Sequence, residues 1–249
     1  MITIKSNQEI KNLHLSGAIA SFVLKQVIKN IKPNITTLEL DIIAQRIIKA
    51  RSARPSFLGF EGYPSAICVS INDEVVHGIP SNRKIISGDV VGVDVGVEYL
   101  GMYSDVAATI SVGKPNGQNQ KLINGVREAL AKAISLYRRG MRVGDIEYIT
   151  GQTLKKYNLS PVLTLSGHGV GYAVHEEPAI RSDGKPSTGE MLEPGMVLAI
   201  EPMACLGSGD VCQGKDGWTI RTKDGQNAAH FEHTVVVTKG SLKILTGRL

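Results

Sequence analysis

The sequence predicts an α+β fold made of two similar halves. Two observations carry this: the elements run helix, helix, strands and then helix, helix, strands, and one glycine-to-acid spacing recurs in both strand regions. The first helix opens at a capping box, Ser6 with Glu9, ahead of apolar residues at helical spacing, Ile10, Leu13, Ala18, Phe22 and Val23. Thr36 and Glu39 repeat the box before a second helix whose buried stripe is Leu40, Ile43, Ile47 and Ile48. From Ala66 onward, β-branched runs, Ile67 to Ile71 and Val90 to Val97, are separated by Gly, Asn, Asp and Pro, the pattern of strands and turns. Helical periodicity returns over Gln120 to Arg139 and Asp145 to Tyr157, followed by further strand and loop. No linker or low-complexity segment divides the chain, so residues 1–249 are expected to form a single domain.

With 249 residues, 42% of them hydrophobic, the chain can bury a core without staples. Three cysteines, Cys68, Cys205 and Cys212, are odd in number and lack the spacing of a disulfide framework or a zinc knuckle; free thiols in a reducing compartment are expected. Residues 1–11 carry charges at Lys5, Glu9 and Lys11 and contain no apolar core of signal-peptide length, and no later stretch reaches membrane-spanning length. The expectation is a cytoplasmic protein with no membrane partner. The net charge of +5, from 28 basic and 23 acidic residues, comes without an arginine-rich run or basic and aromatic interleaving. It reads as a solubilising charge, and no specific nucleic-acid sequence is expected as a partner.

The acids carry the chemistry. Gly88 to Asp94 reads as a strand ending in a carboxylate, and Gly195 to Glu201 has the same spacing in the second half. Asp105 leads into Val106 to Val112, as Glu232 leads into His233 to Val237. An antiparallel pair joined through Glu98 to Gly101 would bring Asp94 and Asp105 together, and the two halves could then meet at one point. Singly, each acid could be a turn cap or an exposed strand end; four at matching places are harder to explain as independent surface acids. Gathered in a low-dielectric cleft, they require positive charge among them. Oxygen-rich coordination with one imidazole suits Mn, Fe(II), Co or Zn. The histidine comes from His14, His77, His168, His175, His230 or His233. Gly167, Gly169 and Gly171 surround His168, with His175 seven residues on; two histidines on one helix face would share that spacing, but the glycines disfavour a helix and allow close backbone approach.

The motifs Asn72 to Pro80 (NDEVVHGIP), Gly167 to Gly171 (GHGVG) with His175 to Pro178 (HEEP), Ala199 to Met203 (AIEPM), Gly217 to Thr219 (GWT) and His230 to Thr234 (HFEHT) occur in an order that resembles the type I methionine aminopeptidases. The resemblance extends over essentially the whole chain. It implies the pita-bread (creatinase/aminopeptidase-like) fold, a curved antiparallel sheet flanked by helices in two pseudo-symmetric halves, as one catalytic aminopeptidase domain. It implies two divalent ions held by Asp94, Asp105, His168, Glu201 and Glu232, with Asp105 and Glu232 shared by both. It places His77 and His175 at substrate-contacting positions, His175 toward the developing oxyanion and His77 near the scissile amide nitrogen or the following residue, and allows Glu201 a proton-shuttling role as well. Phe60, Tyr63, Cys68, Met203 and Trp218 are implied to line a pocket for a methionine side chain. The implied substrates are nascent polypeptides starting with Met and a small second residue, met near the ribosome surface, and the implied state is a monomer.

The sequence departs from the common family pattern at Tyr103 to Val106 (YSDV), which is closer to proline-specific peptidases, and at Val174, where an aromatic residue is frequent. A proline-directed peptidase of the same fold, such as an aminopeptidase P or prolidase, is the nearest alternative. It is opposed by the form of the last motif, Phe231 to Thr234, and by the missing additional N-terminal domain. A non-catalytic binding protein of this fold is the other, opposed by the full set of five ligand residues. Because Ile2 is β-branched, such an enzyme is expected not to remove its own Met1.

Overall fold

In the computed structural model, residues 2–247 are described, so the expectation for Met1 lies outside them. Four helices appear where the pattern placed them: α1 (Asn7–Asn30), α2 (Thr37–Ala50), α3 (Gly117–Ser135) and α4 (Val143–Lys156). Both expected capping boxes form. Ser6 Oγ accepts from Glu9 N while Glu9 returns to Ser6 N, and Thr36 with Glu39 does the same, satisfying amides that a helix start leaves free. The third helix ends at Ser135, four residues before the expected Arg139. Gly140 turns the chain at φ +88°, and the Arg138 guanidinium donates to Ser135 O and Tyr137 O, ending the helix with carbonyls satisfied from the side.

The strand pairings are antiparallel throughout the named sheets. In the first half, Val90–Tyr99 is the hub, paired with Met102–Ser111, Cys68–Ile71 and Arg54–Pro55. In the second, a five-stranded sheet runs in the order Leu242–Ile244, His233–Val237, Val197–Ile200, Gly167–Gly169, Glu176–Ile180. A three-stranded sheet of Ala228–His230, Met203–Cys205 and Ser160–Pro161 lies nearby. Another crosses the halves in the order Val211–Gln213, Ile220–Thr222, Glu74–Val76.

Helix α1 lies across the hub hairpin, where Ser16 Oγ donates to Val97 O at 2.9 Å and stands 2.8 Å from Ser104 Oγ. The pair α3 and α4 packs beside the second-half strands. One large core of all four helices and the strands, including Leu24, Leu40, Ile67, Val95, Leu122, Ile146 and Leu198, runs through both halves. Burial of this apolar surface is the main force holding them together.

Two expectations about strands need correction. Asp94 does not end its strand but lies midway along Val90–Tyr99, and Asp105 is the fourth residue of Met102–Ser111 rather than preceding it. The hairpin turns later, at Leu100 and Gly101, whose φ values of +52° and +74° suit a tight turn matched to strand twist. Glu201 directly follows Val197–Ile200 and Glu232 directly precedes His233–Val237, as expected.

Candidate metal centre

Strand register aims the acids. Asp94 pairs with Ala107 and Gly96 with Asp105, so the two aspartates stand on one sheet face along a diagonal. Glu201 and His168 meet through the neighbouring pairings of His168 with Ala199 and of Ile200 with His233. The glycines beside His168 do allow close approach: a side chain on Gly167 would overlap Ala199 O, and one on Gly169 would overlap Glu177 O. The segment is a strand, not a helix.

The halves are stitched at this point by backbone groups and two threonine hydroxyls. Glu232 N donates to Ala107 O at 2.9 Å, and Asp105 N donates to Thr234 Oγ1 at 2.8 Å while that hydroxyl donates to Asp105 O at 2.8 Å. Thr109 Oγ1 donates to His230 O at 2.7 Å and accepts from His230 N at 2.9 Å.

One oxygen or nitrogen each from Asp105, His168 and Glu232 lies within 4.8 Å of the others. Asp94 and Glu201 line the same cavity of about 380 Å³. The donor set fits a divalent cation on two grounds. Asp94 Oδ1 and Glu232 Oε1 are buried polar atoms without a hydrogen-bond partner, which is costly unless something positive meets them. His168 Nδ1 donates to Gly169 O at 2.9 Å, which leaves Nε2, 3.2 Å from Glu201 Oε1, as the ring atom a cation would take in place of a proton.

The electrostatics agree. Burial, and then the charge of Asp105, push Asp94 well above the usual carboxylate range; burial and the charges of Asp105, Glu201 and Asp94 do the same to Glu232. Burial also raises Asp105, partly opposed by His168. Glu201 differs: burial raises it, but His168 and His230 together overcome that and take it to about 2. A cation among these groups would favour the ionised form of all four.

His230 is the residue that sequence reasoning left unassigned. Its Nε2 lies 3.1 Å from Glu201 Oε2, as His168 Nε2 lies 3.2 Å from Glu201 Oε1, so one carboxylate is flanked by two imidazoles. The His230 contact is close in distance but lacks the orientation of a hydrogen bond. Position beside Glu232 was the available signal, and His233 shared it; the structure turns His233 elsewhere, its Nδ1 2.8 Å from Thr246 Oγ1. His14 lies on α1, outside the cavity lining.

His77 and His175 both line the cavity. His77 holds φ +58°, an uncommon conformation for a side-chain-bearing residue. Its neighbour Gly78 sits so close to Val69 O that a Cβ would overlap it. The His175 ring stands edge-on to His168 at 4.4 Å and to Phe60 at 5.4 Å. Partial burial and the adjacent His168 lower its imidazole to about 4, leaving it neutral at pH 7. At the apolar end, Phe57, Tyr63, Cys68 and Val174 form a buried cluster joined by Phe60 and Trp218, with Tyr63 and Trp218 edge-to-face at 5.2 Å. Tyr63 Oη donates to Gly78 O at 3.0 Å, tying this wall to the His77 segment. Of the five expected pocket residues, Met203 packs in a neighbouring cluster with Val76 and Val162 while still facing the cavity. Phe57 was not foreseen.

An acid-rich, imidazole-bearing cradle at the meeting of two matched antiparallel halves defines a metal-dependent hydrolase. The profile of metallopeptidase family M24 matches residues 11–239. Methionine aminopeptidase from Aquifex aeolicus is 42% identical over 98% of each chain, and methionine aminopeptidase 1 from Bacillus subtilis 41% identical over 99% of each. The crystal structure of methionine aminopeptidase from Thermotoga maritima superposes with a TM-score of 0.98 at 40% identity, covering 100% of both chains. The chain belongs to metallopeptidase family M24 and, within it, to the methionine aminopeptidases. It is thus a metal-dependent peptidase with the pita-bread fold. The prolidase from Pyrococcus furiosus shares that fold, with a TM-score of 0.79 at 24% identity over 99% of this chain and 66% of the prolidase.

Proposed function

We propose that this protein removes the N-terminal methionine from newly made polypeptides, preferring small second residues, and that residues 1–249 act as one catalytic domain. The observation that carries the reading is the two-ended cavity, with four carboxylates and His168 at one end and an aromatic, thiol-lined cluster at the other. Asp94, Asp105, His168, Glu201 and Glu232 would hold two divalent ions, Mn, Fe, Co or Zn. Bound there, the ions supply Lewis acidity to the scissile carbonyl and lower the pKa of water.

The remaining steps belong to side chains. Phe60, Tyr63, Cys68, Met203 and Trp218 receive the methionine side chain, whose thioether suits aromatic edges. His175, neutral, presents an N–H to the oxyanion that develops on the carbonyl. His77, held in a strained backbone conformation, hydrogen-bonds near the scissile amide. Glu201, ionised, carries a proton from water to the leaving amine, and the His230 imidazole 3.1 Å from its Oε2 favours that ionised form. A monomeric state, a cytoplasmic location and contact with the ribosome surface, where N-termini emerge, belong to the same reading. Free Cys68, Cys205 and Cys212 support the compartment.

The test is hydrolysis by the metal-reconstituted protein. Release of methionine from Met-Ala-Ser, abolished by EDTA, with no turnover of Ala-Pro-Ala, is expected. Preferential cleavage before proline would assign the prolidase-type reaction instead.

A further inference from the structure

Lys5 is a cation withdrawn from water. Its side chain is only 1% exposed, and Nζ lies 2.6 Å from Glu176 Oε2, whose own side chain is 10% exposed. Nζ also donates to Thr3 Oγ1 and sits 4.4 Å from the centroid of the Tyr172 ring. A buried ammonium is tolerated only where its partners hold a fixed geometry, and here they do. Thr3 Oγ1 donates to the same Glu176 oxygen at 2.5 Å. The other oxygen, Oε1, accepts from Tyr172 N at 2.5 Å and Ala173 N at 3.3 Å. Glu176 therefore grips the backbone of residues 172 and 173, and Lys5 grips Glu176.

The N-terminal segment that supplies this grip is itself anchored. Lys5 N donates to Gly195 O at 2.9 Å, and Tyr172 Oη donates to Glu9 Oε1 at 2.8 Å. Gly171 completes the fit, since a Cβ there would overlap Lys5 Cε. The gripped turn carries Val174 into the apolar cluster and His175 to the cavity. Among the described residues no hydrogen bond holds the His175 ring, which stands edge-on to His168 and Phe60. Its position is set by the backbone of the turn.

We propose that Lys5 is a positioning residue: through its buried ion pair with Glu176 it fixes the turn that holds His175 in the cavity, and so controls turnover without touching substrate. This rests on His175 contacting the substrate, as read above. In the metal-loaded full-length protein, Lys5→Met should lower kcat for Met-Ala-Ser by about tenfold or more, with KM changed less than about threefold and metal content unchanged. The same substitution in a His175→Ala background should change the residual rate by less than about twofold, because the residue it positions is gone. Where Lys5→Met alone does not fold, Lys5→Met with Glu176→Leu replaces the pair by apolar groups and carries the same expectation in both backgrounds.

A Lys5 variant with lowered Tm and unaltered kcat would overturn the proposal. So would equal losses in both backgrounds, the mark of a purely structural role. A His175→Ala protein of full activity would instead refute the reading of His175, and that single variant tells the two failures apart.

Discussion

At the scale of single residues, the acids and the aromatics make separable predictions. Asp105 spends one oxygen on Val106 N and offers an oxygen within 4.8 Å of ligand atoms of His168 and Glu232. Asp105→Ala should lose metal and lower Met-Ala-Ser turnover more than about a hundredfold, read by metal analysis beside the rate assay. Trp218, partly buried and edge-on to Tyr63, forms one wall of the apolar end. Trp218→Ala should raise KM for methionyl substrates about tenfold with metal content intact, and a matched loss of metal would count against a role in side-chain recognition. Legibility at this scale followed from redundancy. Asp94, Asp105, Glu201 and Glu232 could be picked out because each had a counterpart in the other half. His230 had no counterpart, and the break in pairing at Phe231 and Glu232, between Ala228–His230 and His233–Val237, resets the side-chain alternation that would have distinguished it from His233.

The hairpin that bears Asp94 and Asp105 gives a test at the scale of elements. Leu100 sits at φ +52° in its turn and is 55% exposed, so its side chain brings little burial to offset a left-handed backbone. Leu100→Asn should stabilise the protein by about 1 kcal/mol, seen as a higher Tm, because Asn tolerates that region. An unchanged or lowered Tm would show that Leu100 is held by contacts beyond the turn. Long elements were readable because their periods repeat: two capping boxes and apolar stripes located α1 and α2, and the Val-rich run located the hub strand. The exact stops were not, since the hub strand continues past Asp94 to Tyr99 and α3 ends at Ser135 under the side chain of Arg138. Strands of two or three residues, such as Ser160–Pro161 or Glu74–Val76, are too short for alternation to register.

For the whole molecule, the cross-half hydrogen bonds become the prediction. Thr234→Val keeps shape but strips the hydroxyl that both accepts from Asp105 N and donates to Asp105 O, leaving buried groups unpaired. It should cost about 2 kcal/mol, measured by denaturant unfolding, and weaken metal binding in parallel. Removing metal from the intact protein should also lower the melting temperature, since an ion present at about 100 times its Kd adds about 2.7 kcal/mol of stability. A melting curve indifferent to chelation would mean that the acid cluster holds its shape without a cation. The two-half plan was visible in the order of elements, whereas the sheet that joins Glu74–Val76 to Ile220–Thr222 was not, because nothing local announces a pairing between segments so distant.

Those same cross-half bonds have a bearing on the protein's own birth. Asp94 and Glu232 are separated by 138 positions, and Glu232 is aimed by a carbonyl at Ala107. While the chain is being synthesised, its early acids must wait, unmetallated and unsupported, for a segment translated much later. On the proposed ligand set, competence arrives late and all at once, and a truncated translation product that stops short of Glu232 should be inert rather than partly active.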